Sequence, residues 1–242
     1  MKVSLSIVDS VAWLSLDRPE QKNAITLAMW RQIAELAQQV RSSKAEVMVL
    51  KGQGGSYCAG ADLDELAKIN SMDVAQEYWS GMKSALDAMN NVEIPKIAMI
   101  EKYCLGGGCI LALTCDLRYA TKDAVFAIPV AKHGFMLDTE TVTRLTILIG
   151  PARAKELIFL ADTISGDEAH SIGLVNRLFE PDQIEAEVKK IAAKIRACDD
   201  SSISQIKRQV DRVVASLLCE DQFTKLDEDL IVERFLSSNR PN

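Results

Sequence analysis

Three consecutive glycines constrain this 242-residue chain more than any other stretch. Gly106-Gly107-Gly108 stand between an apolar run at 97–100, which reads as a strand, and Cys109-Ile110-Leu111-Ala112-Leu113, which reads as a helix. Glycine reaches backbone angles closed to other residues and puts no Cβ in front of a ligand. A helix start also leaves amide N–H groups without acceptors. Such a turn can hold donors where negative charge develops, or it can be a tight strand-to-helix connection with no chemistry.

A second stretch has the same grammar. The apolar strand at 47–50 runs into Gly52-Gln53-Gly54-Gly55-Ser56-Tyr57-Cys58-Ala59-Gly60-Ala61-Asp62-Leu63 and then into a helix. Two turns of this kind can each offer one N–H to a single carbonyl oxygen.

Cys58-Ala59-Gly60-Ala61-Asp62-Leu63 and Leu105-Gly106-Gly107-Gly108-Cys109 resemble the enoyl-CoA hydratase/isomerase (crotonase) family. Asp17-Arg18-Pro19-Glu20-Gln21-Lys22-Asn23-Ala24-Ile25, Ile94-Pro95-Lys96 and Cys115-Asp116-Leu117-Arg118-Tyr119-Ala120 match in order. So do Ile164-Ser165-Gly166-Asp167-Glu168-Ala169 and Ile172-Gly173-Leu174-Val175-Asn176-Arg177. The resemblance covers nearly the whole chain. It implies an α/β fold, a spiral of ββα units, with a C-terminal helical region serving trimer formation.

The local patterns are consistent with that class. Alternation at 3–8 and 11–16 around Asp9-Ser10 predicts a hairpin, and Thr26 is placed to cap a helix. Apolar residues at 78, 79, 82, 85, 86 and 89 predict a helix ending before Pro95, and 117–120 and 125–128 read as strands. Helices are expected at 141–149, before Gly150-Pro151, and at 152–160. After Pro181 only helices are expected, at 182–197, 202–218 and 221–236, giving an αβ core over 1–180 and a docked helical region over 181–242.

A net charge of −6 argues against nucleic acid or an anionic membrane as partner. The chain has no apolar run of membrane-spanning length and no secretory signal pattern. Six cysteines without a Cys-x-x-Cys pair, and only two histidines, argue against zinc and for reduced thiols, hence a cytoplasmic protein.

Carried over position by position, the resemblance implies an oxyanion hole from the N–H groups of Ala61 and Gly107. The two glutamates with which the family's hydratases work are replaced by Ile110 and Val130. Neither side chain can activate water or deliver a proton, so a paired-carboxylate hydration is not expected. Asp138 stands four residues after Gly134, the position at which isomerase branches carry a catalytic aspartate; it is equally placed to cap the helix that follows. One carboxylate suffices for a double-bond shift, because the group that removes a proton can return it two carbons away. The same aspartate resembles a dehalogenase nucleophile, but Lys83 and Val130 stand where that branch has histidine and tryptophan.

His133 is a second candidate acid/base, suited to a hydrolase or decarboxylase variant, or else a solvent-facing loop residue. Glu140 is an understudy for Asp138; Asp116 reads as a structural carboxylate, and His170 and Glu101 as surface groups. No metal or permanently bound cofactor is implied; coenzyme A enters as part of the substrate. By resemblance Lys22, Ala24 and Ile25 wrap its adenine and phosphates, while Ala59, Asp62 and Leu63 line the pantetheine path. A solvated Lys22 is the plainer alternative. The family's C-terminal basic residue has no evident counterpart before Asn242, which leaves an acyl carrier protein as another carrier. The expected function is therefore an acyl-CoA enzyme stabilising a thioester enolate, foremost an enoyl-CoA isomerase. A hydratase-like, hydrolase or decarboxylase variant and a non-catalytic acyl-CoA binder are the alternatives, and a homotrimer or dimer of trimers is the implied assembly.

Overall fold

The computed structural model describes residues 2–216 and 224–238. In chain order the elements are β1 (Val3–Val8), β2 (Val11–Leu16), α1 (Leu27–Arg41), β3 (Val47–Gly52), α2 (Leu63–Leu66) and α3 (Met72–Asn90). Then come β4 (Lys96–Ile100), β5 (Tyr103–Leu105), α4 (Gly107–Leu113), β6 (Leu117–Thr121), β7 (Val125–Ala127) and α5 (Thr139–Leu160). The chain continues with β8 (Ile164–Ser165), α6 (Gly166–Ser171), β9 (Arg177–Phe179), α7 (Ile184–Arg196), α8 (Asp200–Ser216) and α9 (Thr224–Ser237).

Six strands form one sheet in the order β1-β2-β3-β4-β6-β9, antiparallel only between β1 and β2; β5, β7 and β8 form a second, small sheet. The hairpin turns through Asp9 and Ser10, both with positive φ (49° and 55°), the geometry a two-residue turn needs to match strand twist. Parallel β3 is apolar and buried from Val47 to Leu50 because both faces are covered there. Met48 and Leu50 pack into the core with α1 and α3, while Val47 and Val49 meet Ile184, Val188 and Ala192 of α7. The Thr26 hydroxyl accepts from Met29 N at 3.2 Å and starts α1 as its sequence implies. Gly150, at φ 77°, breaks α5 before Pro151, in keeping with two helical segments there.

The helical region folds back onto the core. Ile231, Val232 and Phe235 of α9 are buried, and the Phe235 ring lies 5.3 Å from that of Tyr78 on α3. Expected helical residues 217–218 and 221–223, and Cys219, lie outside the described residues. No helix among the described residues is long and apolar enough to cross a membrane.

Two expectations need correction. The triple glycine does not follow β4 directly: the chain first makes β5, which pairs with β7 in the second sheet. The stretch before Pro181 also holds β8, α6 and β9, which are too short for periodicity to reveal.

Candidate active site where two glycine turns meet

The turns are laced together by main-chain bonds. Tyr57 N donates to Glu101 O (2.7 Å), Cys58 N to Tyr103 O (2.7 Å), and Leu105 N to Cys58 O (3.0 Å). The approach is so close that a Cβ on Gly108 would stand 2.8 Å from both the Cβ and the carbonyl oxygen of Cys58. Gly106, at φ 47°, turns the chain from β5 into α4 and donates its N–H to Ala127 O at 2.8 Å. Cys58 is locked behind the turn, its thiol donating to Asn23 O at 3.2 Å; burial pushes that thiol up to about 12, so it is packing rather than a nucleophile.

Ala61 and Gly107 line one cavity of about 280 Å³. A Cβ built on Gly107 would lie 3.4 Å from Ala61 N. Among the described residues, no acceptor engages the N–H of Ala61 or of Gly107, whereas neighbouring Asp62 N and Gly106 N both donate within the chain. The cavity walls are largely apolar: Trp30, Leu105, Ile110, Val130 and Phe235 contribute. Trp30 Nε1 donates to the Tyr78 hydroxyl at 3.4 Å, and burial holds that phenol well above its ordinary range. Ile110 and Val130 stand where side chains could touch a bound carbonyl compound, and neither is titratable.

His133 is exposed and lines the mouth of this cavity, so the structure brings it together with Ala61 and Gly107. Asp138 does not line it. It caps α5, its Oδ1 accepting from Thr141 N (2.8 Å) and its Oδ2 from the Thr141 hydroxyl (2.6 Å), and it borders a smaller cavity of about 140 Å³ beyond Ile110. Ile110 borders both spaces. Each carboxylate oxygen has two lone-pair sites, so capping leaves Asp138 acceptor capacity. Glu140 shares the smaller cavity and is held by Asn90 and Arg144.

The residues expected around the coenzyme separate into three groups. Ala59 and Leu63 line the carbonyl cavity, Leu63 being 61% exposed at its rim. Lys22 is exposed, with its ammonium 4.4 Å over the Tyr103 ring. The other three are structural in this geometry. Ile25 is 0% exposed and bonded through its main chain to Gly60 and Asp62, so its side chain lines no path. Ala24 N is already spent on Gln21 O (3.0 Å), leaving only its carbonyl, which Arg18 also contacts. Asp62 is buried, caps α2 and ion-pairs with Arg18. Burial would raise its carboxyl, but the Arg18 contact and the Glu65 amide prevail and hold it below the carboxylate range.

Asp116 is structural, accepting from Lys96 N and pairing with Lys207. Glu101 is half-buried rather than a surface group, and burial pushes its carboxyl up. Sequence reasoning missed Arg234. On α9 it joins Lys132 and His133 around a wide opening that shares Leu63, Leu66, His133 and Phe135 with the carbonyl cavity. Its signal was a basic residue in the last turn of a helix that ends over the core.

Residues 6–239 match the family described as enoyl-CoA hydratase/isomerase. The chain is 35% identical over 189 residues to a crotonyl-CoA hydratase of Syntrophomonas wolfei, covering 77% of this chain and 72% of that one. It is 32% identical over 204 residues to a short-chain-enoyl-CoA hydratase of Clostridium acetobutylicum, 84% and 78% covered. Among solved structures, an enoyl-CoA hydratase/carnithine racemase from Magnetospirillum magneticum superposes with TM-score 0.84 at 30% identity, over 95% of this chain and 85% of that one.

Proposed function

This chain belongs to the enoyl-CoA hydratase/isomerase family, and from that premise we propose that it moves a double bond in an acyl-CoA thioester. The thioester oxygen accepts from Ala61 N–H and Gly107 N–H. Asp138 takes a proton from the carbon next to the carbonyl; the C–H electrons pass into the carbonyl and leave an enolate oxygen between the two amides. The protonated Asp138 then returns the proton two carbons further along, and the double bond settles beside the thioester. Two preorganised donors make that charge tolerable, and loss of one costs about 3 kcal/mol.

The observation that carries this reading is Ile110 and Val130 beside the carbonyl cavity, with Asp138 on the next cavity across Ile110. Water addition lacks its pair of carboxylates, although the relatives above are named hydratases. His133 at the cavity mouth favours a second reading, in which an imidazole activates water for thioester hydrolysis.

Coenzyme A or a carrier-borne phosphopantetheine enters past Leu63, with Lys132 and Arg234 offering charge to its phosphates. Exposed Ile206, Val210 and Val213, at helical spacing along α8, support a trimeric assembly.

Asp138→Asn keeps the cap and removes the base. We expect the rate of 3-enoyl-CoA isomerisation to fall at least a hundredfold while coenzyme A thioesters bind within a few-fold. An unchanged rate removes Asp138 from the mechanism, and thioester cleavage lost in His133→Ala in place of isomerisation selects the second reading.

A further inference from the structure

Asp62 on α2 and Asp138 on α5 both cap helices with a carboxylate, but different partners hold them. Asp62 pairs with Arg18. Asp138 has no ion pair among the described residues. The two cations that line its cavity, Lys83 and Arg144, are taken by Asp87 at 3.0 Å and Glu140 at 2.8 Å.

One residue holds both oxygens of Asp138. Thr141, 5% exposed, donates its N–H to Oδ1 at 2.8 Å and its hydroxyl to Oδ2 at 2.6 Å. The first bond is the cap. The second is not needed for one, since Thr26 and Ser71 start α1 and α3 with one accepting oxygen each. A carboxylate bonded in this way cannot turn about its Cβ–Cγ bond without breaking a hydrogen bond, so its plane is set.

The two donors differ in what they tolerate. A main-chain N–H can only donate, so Oδ1 must stay an acceptor. A hydroxyl donates to an ionised oxygen and can turn to accept from a protonated one. Oδ2 is therefore the oxygen that can gain and lose a proton with its partner still in place. An arginine, the partner of Asp62, has no acceptor and would lose its ion pair at that step.

We propose that Thr141 is a positioning residue for the double-bond shift. Its N–H holds Oδ1, and its hydroxyl presents Oδ2 as the atom that takes the proton from the carbon next to the carbonyl and returns it two carbons away. The inference rests on the reading of Asp138 as the base. The C–H electrons still pass into the carbonyl and back, and the Thr141 hydroxyl keeps its own proton throughout.

Steady-state isomerisation of a 3-enoyl-CoA by the wild-type protein, Thr141→Val, Thr141→Ser, Asp138→Asn and the double variant Asp138→Asn with Thr141→Val tests this. Valine keeps the N–H and the volume and removes the hydroxyl. Thr141→Val should lower kcat about tenfold with KM within about twofold, and Thr141→Ser should recover kcat to within about threefold of wild type. In the Asp138→Asn background the valine change should cost nothing further, because its effect passes through the carboxylate. A Thr141→Val kcat within about twofold of wild type overturns the proposal. So does a serine variant as slow as the valine one, or the same loss persisting in the Asp138→Asn background. Those outcomes leave Asp138 in place as the base when Asp138→Asn alone is slow; a wild-type rate in Asp138→Asn removes the base, and the role of Thr141 with it.

Discussion

The cavities on either side of Ile110 are built by opposite means. At the carbonyl end the polar groups are main-chain amides, and the surrounding side chains are mostly apolar. At the far end the polarity comes from side chains on α3, α5 and α9, with Thr114 and Asp138 from the connections after α4 and before α5. A site made of backbone survives exchange of the side chains around it. A site made of side chains changes with every substitution. One half can therefore hold the two amides in place while the other, which carries Asp138, varies with its side chains.

The contrast breaks most sharply at Gly107. A methyl there would sit 3.4 Å from Ala61 N, where a bound oxyanion needs room, and only 3.3 Å from the Trp30 ring. Gly107→Ala should lower kcat/KM for isomerisation about a thousandfold, read in steady-state kinetics alongside a melting curve that shifts little. A comparable methyl at the far end should leave kcat within a few-fold.

Ile110, 5% exposed, is the partition itself. Ile110→Ala should cost about 3 kcal/mol of stability in denaturant unfolding and join the two spaces it borders, relaxing chain-length preference in kcat/KM.

Lys96, at the start of β4 with its Nζ donating to Met89 O at 2.7 Å, sharpens the comparison. Burial lowers its ammonium to about 8; Asp116 opposes, and Lys207 and Arg144 add to the push. The folded state thus gives up its proton before the unfolded chain does, so the unfolded chain binds more protons between about pH 8 and pH 10. Stability relative to Lys96→Met should rise across that window by about 2 kcal/mol, measured as the difference between the two unfolding profiles. A flat difference would show that the charge is not confined.

The smallest effect separates capping from catalysis at Asp138. Asp138→Ala should lower stability by about 1 kcal/mol, and Asp138→Asn should restore most of it. Isomerisation should be lost in both.

Much of this was legible before any coordinates. The 3–8 and 11–16 hairpin, the Thr26 cap and the apolar β3 follow from alternation, capping chemistry and two-sided burial. Ala61 and Gly107 were reachable through their motifs, and the structure places them on one cavity. β5, β8 and β9 are two or three residues each and carry no period. α6 did leave a signal that went unused: Ser165 and Glu168 form a capping box. Ile25 lies in a promising loop, but that loop's inward residues hold the two turns in place instead of meeting solvent. The far cavity was out of reach for a different reason. Its key contact joins Asn90 to Glu140, fifty positions apart, and no local pattern encodes such a meeting.

Phe235 lines the carbonyl cavity and Ile231 the far one, and both sit on α9. Occupancy by substrate should then steady that helix. Amide hydrogen exchange along residues 228–237 should report a bound acyl group more directly than any amide in the central sheet, because a ligand against Phe235 and Ile231 adds packing to the helix that carries them.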